Sequence, residues 1–215
     1  IYHSKAYGSY VDARDFGADN TGKTDSLSAI NQALAVAHSQ KVALYLSGEF
    51  YISAPITIDE TTKGVTGIFG DGQGETLIRF DKQQAGTHSA YSNDTVSLQD
   101  SGILIHGQNG KFISNLSVKY EHQEPTDFYR HSSPYFGKVS GILVADASNT
   151  TIDNVEVSGA NRAGVQFISA KVFTKNPESP TGASYKASVM KGELTLDDER
   201  TPIGANNQVI NSSLH

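Results

Sequence analysis

Between Lys119 and Lys138 the chain gathers side chains able to grip and act on a charged sugar polymer. Tyr120, Phe128, Tyr129, Tyr135 and Phe136 are five aromatic residues in a 20-residue stretch, against 9% aromatic content overall, and Lys119, His122, Arg130, His131 and Lys138 are interleaved with them. Aromatic rings stack on the apolar faces of sugars, while Arg and Lys pair with carboxylates. The mixture suits an anionic polysaccharide groove in which Tyr120, Arg130, Tyr135 and Lys138 hold substrate. The alternative is a loop folded back on its scaffold, burying Phe128, Tyr129 and Phe136 and leaving its charges in water.

A second candidate is the turn Ser158-Gly-Ala-Asn-Arg-Ala-Gly-Val165, in which Arg162 stands between small residues that leave room for a ligand. Arg162 reads either as a carboxylate clamp or proton-transfer group, or as a scaffold Arg bonded to loop carbonyls. β-Elimination from a uronate needs three things: neutralisation of the C6 carboxylate, removal of the C5 proton, and protonation of the leaving oxygen. Arg162 or Lys119 would neutralise or abstract, with His122, His131 or Tyr129 as acid or base. Asp153 and Glu156 are the carboxylate pair that glycoside hydrolysis would require, and their alternation with Ile152, Val155 and Val157 also fits a solvated strand face.

Other chemistry is disfavoured. Gly70-Asp-Gly-Gln-Gly-Glu-Thr76 lacks the Lys-Ser/Thr ending of a phosphate loop and leads into strand-like Leu77-Ile-Arg-Phe80, so it reads as a turn. No motif calls for a cofactor or fixes a metal. Asp, Glu and Asn are plentiful enough to suit Ca²⁺, but no EF-hand spacing is present. With 17 Lys+Arg against 23 Asp+Glu and a formal charge of -6, the chain has no basic run for nucleic acid. Its apolar runs are far shorter than the ~20 residues of a membrane span. Zero Cys removes disulfide and thiolate chemistry. The opening Ile1-Tyr2-His3 has no basic or apolar leader, as expected of a mature form whose targeting signal is gone.

The elements that must position these residues are short. Leu27, Ile30, Leu34 and Ala37 fall at helical spacing after turn-forming Asp15–Asp25, predicting a helix over 25–38 capped by Thr24 or Asp25. Val42, Leu44 and Leu46 then alternate as a strand, and 51–58 reads as another. Further on, Ile113-Ser-Asn-Leu-Ser-Val118, Ile152-Asp-Asn-Val-Glu-Val157 and Val209-Ile-Asn-Ser-Ser-Leu214 repeat one pattern, and Gly102-Ile-Leu-Ile105 and Gly141-Ile-Leu-Val144 repeat another. The copies begin 39 and 57 residues apart, longer than the roughly 20 residues of a short solenoid repeat. The excess falls in polar insertions at 119–138 and 171–203. The recurring Asn is expected to adopt left-handed geometry at a strand end and bond its equivalent on the next level.

The stretch Val11–Asp25, the helix with Ala29-Ile30 and Ala33, the strand Val42–Ser53 and Ile68-Phe-Gly-Asp-Gly-Gln-Gly-Glu-Thr-Leu-Ile78 resemble the N-terminal portion of the pectate-lyase-like superfamily. The resemblance implies an all-β, right-handed parallel β-helix of a single domain over 1–215. Residues 10–40 would cap one end, and the strand copy at 207–215 would be completed by a continuation or by another chain. It implies a secreted or cell-surface enzyme acting on a uronate-containing polysaccharide, as a lyase, with glycoside hydrolase, phage-like depolymerase and non-catalytic glycan-binding module as alternatives. Where mannuronan epimerases carry Gly-Tyr-Gly-Phe-Asp-Pro-His, this chain has Arg162-Ala-Gly-Val-Gln-Phe-Ile168, without the Asp and His.

Overall fold

The computed structural model describes residues 1–81, 98–121, 139–168 and 205–215. The protein is mostly β with one helix. In chain order the elements are β1 (Tyr2–Ser4), β2 (Gly8–Asp12), β3 (Thr21–Asp25), α1 (Leu27–Gln40), β4 (Ala43–Tyr45), β5 (Glu49–Tyr51), β6 (Ile56–Ile58), β7 (Gly67–Phe69), β8 (Leu77–Phe80) and β9 (Ser101–His106). They continue with β10 (Phe112–Tyr120), β11 (Ser140–Ala145), β12 (Thr151–Ser158), β13 (Ala163–Ile168), β14 (Gln208–Ile210) and β15 (Ser213–Leu214).

Among the described residues every ladder is parallel except the β1–β2 hairpin. One sheet has two limbs. The first runs β2-β4-β7 into the leading halves of β10 and β12 and then β14, and the second runs β3-β5-β8 into their trailing halves and then β15. A second sheet stacks β6-β9-β11-β13. The chain visits first limb, second limb and second sheet in turn, then returns to the first limb one level on.

This itinerary follows from like stacking on like. Leu44, Ile68, Ile113, Ile152 and Val209 form one column in register, and Phe50, Ile78, Val118, Val157 and Leu214 another. Ile56, Ile103, Ile142 and Val165 make a third from the second sheet. Levels ~4.8 Å apart bring each aliphatic side chain onto its equivalent, and burying each one stabilises by roughly 1.5–3 kcal/mol. A register slip of one residue would turn whole columns to water.

Corners between the limbs are made by Asn115, Asn154 and Asn211, at φ 56°, 53° and 52°. Asn tolerates this left-handed geometry better than most residues. Asn154 Nδ2 donates to Asn115 Oδ1 at 2.8 Å, the expected bond between levels, whereas Asn211 Nδ2 donates to Asp153 Oδ1 at 2.8 Å. Gly102, Gly141 and Gly164 mark where the second sheet passes closest to the second limb. A Cβ at Gly141 would stand 2.2 Å from Val157 Cγ1, and one at Gly164 3.0 Å from Leu214. Gly164 is a third copy of the Gly pattern, hidden in the sequence because Gln166 and Phe167 replace its aliphatic residues.

Helix α1 buries Ile30, Ala33, Leu34 and Ala37 at one end of the columns, packing on β2, β4 and β6. Its N-cap is Ser26, and the Asp25 carboxylate accepts the Leu27 N–H at 3.0 Å. Thr24 does not cap it, since its N–H and hydroxyl both donate to Asp19. Four such bonds from Thr21 and Thr24 hold the Asp19 carboxyl well below the usual range, a structural use of that residue. The strand expected over 51–58 is broken. β5 and β6 belong to different sheets, and the corner falls at Ser53-Ala54-Pro55, where Pro has no N–H to offer a ladder. At the far end Phe167, Ile210 and Leu214 are exposed.

Candidate functional site

His122, Tyr129, Arg130, His131, Tyr135 and Lys138 lie outside the described residues. Of the sequence candidates the described residues include Lys119, Tyr120 and Arg162. Tyr120, expected to stack on substrate, is 2% exposed and packs on Phe80 with ring centroids 5.2 Å apart, inside the core. The reason is strand alternation: Leu116, Val118 and Tyr120 share the inward face, so Lys119 is the exposed neighbour.

Lys119 is in register with Arg79 and Ser158 on the outside of the second limb. Arg79 is already engaged. Its Nε meets Glu49 at 2.5 Å, Nη1 meets Glu121 at 2.7 Å and Nη2 donates to the Gly22 carbonyl at 2.6 Å. Burial disfavours its charge, but the two carboxylates outweigh that and raise its pKa. With Asp81 bonded to Tyr51 and with Glu156 beside Ser117, carboxylates outnumber cations on this face. The outside of the first limb is also acidic, carrying Asp12, Asp71 and Asp153 against Arg14.

The second sheet differs. Ile56–Ile58, Ser101–His106, Ser140–Ala145 and Ala163–Ile168 contain no Asp, Glu, Lys or Arg. Ile103, Ile105, Ile142 and Val144 enter the core, so Leu104, Leu143 and Gln166, which share one register row, face outward. Leu104 and Leu143 are nonetheless buried. Gln166 Oε1 accepts from Ser140 Oγ at 2.8 Å. At the leading corner of this sheet sits Arg162, half-buried, its backbone N–H donating to the Val139 carbonyl at 3.0 Å. The Val139 N–H donates to Asn161 Oδ1 at 3.0 Å, so two consecutive residues clamp Val139. Val139 immediately follows the 119–138 insertion, so Arg162 is anchored at its root. At the trailing edge His106 Nε2 lies 3.7 Å from the buried Asp146 carboxylate.

Asp153 and Glu156 stand on opposite sides of the Asn154 corner, Asp153 held by Asn211 and Glu156 by Ser117 at 2.9 Å. His215 Nε2 approaches both Glu156 at 3.5 Å and Ser213 Oγ at 3.0 Å. Both partners meet the same ring nitrogen, so the imidazole cannot relay a proton between them as a nucleophilic triad requires. Among the described residues no group of three or more His, Asp and Glu side chains converges to hold a metal, and no helix is long and apolar enough to cross a membrane.

Sequence reasoning missed an aromatic cluster on the outside of the first limb. Tyr7 stacks on Phe69 and Phe112 at 4.4 and 5.2 Å, and Tyr10 meets Phe69 and Tyr45 at 5.3 and 5.1 Å. Its signal was present in small Ala43 and Gly67, whose strand positions leave a hollow beside larger rings.

The profile of the family described as Rhamnogalacturonase A/epimerase, pectate lyase-like matches residues 10–212. The chain belongs to this pectate-lyase-like family. The family's fold implies a β-helix, which accords with the three-stop itinerary of the strands. No curated protein sequence matches it significantly. The pre-mature bacteriophage phi29 gene product 12 is similar in structure, with a TM-score of 0.51 and 17% identity over 74% of this chain and 19% of that one. PfbA, a surface adhesin of Streptococcus pneumoniae, aligns with a TM-score of 0.50 and 14% identity over 95% of this chain and 49% of that one. The A-module of the Azotobacter vinelandii mannuronan C-5 epimerase AlgE4 gives a TM-score of 0.45 and 21% identity over 68% of this chain and 37% of that one. At these identities the likeness is one of fold, and this pectate-lyase-like chain spans half or less of the solved chains it matches.

Proposed function

We propose that the protein is a single-domain, right-handed parallel β-helix, secreted or displayed at the cell surface, that cleaves a uronate-containing polysaccharide by β-elimination. The observation that carries this reading is the placement of Arg162. Two limbs of the structure present acidic outer faces that repel a polyanion, whereas the second sheet contributes strands free of charged residues. Arg162 stands at the corner of that sheet, at the root of the insertion that carries Tyr129, Arg130, His131 and Lys138. A guanidinium carried on this anchored backbone would supply bidentate recognition of a C6 carboxylate. Withdrawing charge from that carboxylate acidifies the C5 proton. The base removes it, the C4–O bond breaks as the C4–C5 double bond forms, and the leaving oxygen takes a proton.

Incubation with alginate, pectate and glycosaminoglycans, followed by ultraviolet absorbance of unsaturated uronate ends, tests the reading. Product with an absorbance rise on one polymer is expected. Reducing ends without unsaturation would assign a hydrolase, and binding without any product by mass spectrometry would assign a glycan-binding module.

A further inference from the structure

Asn or Asp followed by Gly is the dipeptide most prone to spontaneous cyclisation, because Gly leaves its amide nitrogen unshielded and its backbone free to turn. The sequence contains two such pairs, Asn109-Gly110 and Asp71-Gly72. Asn109 and Gly110 are both exposed, so solvent access alone would make that pair labile. Its hydrogen bonds predict the opposite.

Asn109-Gly110 lies in the bend that returns the chain from β9 in the second sheet to β10 in the first limb. Gly110, Asn149 and Asn206 occupy equivalent places there, each two residues before the register-matched Phe112, Thr151 and Gln208, and all are left-handed at φ 72°, 55° and 57°. The next level clamps the pair on both sides. Asn109 bridges Ser148, whose N–H donates to the Gln108 carbonyl at 3.1 Å and whose carbonyl accepts the Gly110 N–H at 3.0 Å. Asn149 Nδ2 donates to Asn109 Oδ1 at 2.6 Å.

Cyclisation needs both of the groups that these bonds hold. The Gly110 nitrogen must shed its proton and swing onto Asn109 Cγ, whereas its N–H is committed to Ser148 and the Asn109 carboxamide to Asn149. At Asp71-Gly72 the Gly72 N–H donates to the Asn115 carbonyl at 2.9 Å, and the Tyr45 and Ser47 hydroxyls both donate to the Asp71 carboxylate. A carboxylate is also a poorer electrophile than a carboxamide. The lighter guard therefore stands over the more reactive pair.

We propose that Asn109-Gly110 is a deamidation site guarded by Asn149, closed in the stacked protein and reactive when this bend lifts from the level that covers it. The deprotonated Gly110 nitrogen attacks Asn109 Cγ, the N–Cγ bond forms as the Cγ–Nδ2 bond breaks, and ammonia leaves. Water then opens the cyclic imide at either carbonyl, giving aspartate or isoaspartate. Isoaspartate carries the main chain through the former side-chain carbon, adding a methylene and a negative charge at the bend and taking Phe112 out of step with Thr151. A one-way chemical change is thus tied to a local opening of the stack. The site stands whether or not Arg162 serves catalysis.

Incubation of the full chain in mildly alkaline buffer, followed by peptide mass mapping for the one-dalton gain at Asn109, tests it. Wild type is compared with Asn149→Gly, which keeps the left-handed bend and loses the amide donor, each folded and in urea. Folded wild type is expected to convert at least about tenfold more slowly than the unfolded chain. Asn149→Gly is expected to speed the folded rate about fivefold, the worth of one hydrogen bond, and to leave the unfolded rate unchanged. Equal rates in folded and unfolded wild type overturn the protection, and an unchanged folded rate in Asn149→Gly overturns the guard. Hydrogen exchange of residues 107–111 is followed beside that of β10 to separate a loosened bend from global unfolding. Faster conversion with faster exchange in the bend alone supports the proposal, and faster conversion with equal loosening of β10 overturns it.

Discussion

The Tyr7 hydroxyl accepts a hydrogen bond from Asn115 Nδ2 at 2.6 Å across 108 residues of sequence. Asn115 in turn accepts from Asn154, so the corner amides form a chain that ends on a tyrosine of the opening segment. Tyr7 thereby does two jobs: its ring fills the hollow over Phe69 and Phe112, and its hydroxyl ends the amide row. The first eight residues are held by the same row that sets the corners.

Asn154→Ala places a methyl side chain, which can make no local hydrogen bond, at φ 53°, which costs about 1–2 kcal/mol in backbone strain and about 1 kcal/mol in the lost bond to Asn115. A melting temperature lower by about 4–10 °C is expected at this chain length. Asn154→Gly relieves the strain and loses only the bond, so its drop is smaller in calorimetry. A Gly variant as unstable as the Ala variant would show that left-handed geometry is not what Asn supplies.

Gly141→Ala drives a methyl onto Val157 Cγ1, overpacking worth about 1–3 kcal/mol. Adding Val157→Ala makes room. In a double-mutant cycle by urea unfolding, the pair is expected to be less destabilised than the sum of its parts, and strict additivity would contradict the close approach.

Burial, then the Asp81 hydrogen bond at 2.8 Å, pushes the Tyr51 phenol up to about 12 from its ordinary 10.0. Because the folded value is raised, the neutral phenol contributes stability that is complete below pH 10 and is lost as pH climbs toward about 12. Wild-type stability is expected to fall across that window more steeply than that of Tyr51→Phe. Parallel curves would refute the assignment.

Arg162→Ala leaves the backbone bond to Val139 in place, so its melting temperature is expected to stay within about 3 °C of wild type, as for most changes outside the core. Release of unsaturated product should fall at least 100-fold, the scale of losing one charge-stabilising group. An active, destabilised variant would make Arg162 scaffold.

What was legible in the sequence was whatever repeated. Asn115, Asn154 and Asn211 disclosed the corner because the left-handed position admits few residues, and the aliphatic columns disclosed the stacking. Tyr120 misled because composition does not say which face of a strand a ring occupies, although alternation with Leu116 and Val118 held the answer. The clamp of Asn161 and Arg162 on Val139 joins residues more than 20 apart, and no local pattern encodes it.

The insertions that the sequence places at 119–138 and 171–203 each neighbour a strand of the second sheet along the chain, and neither falls at an Asn corner. The Asn crease thus behaves like the spine of a binder and the opposite margin like its open edge, where pages of different length can be exchanged without altering the pitch between levels. A lineage or an engineer can exchange one cassette at this margin while the amides of Asn115 and Asn154 hold their corner in place.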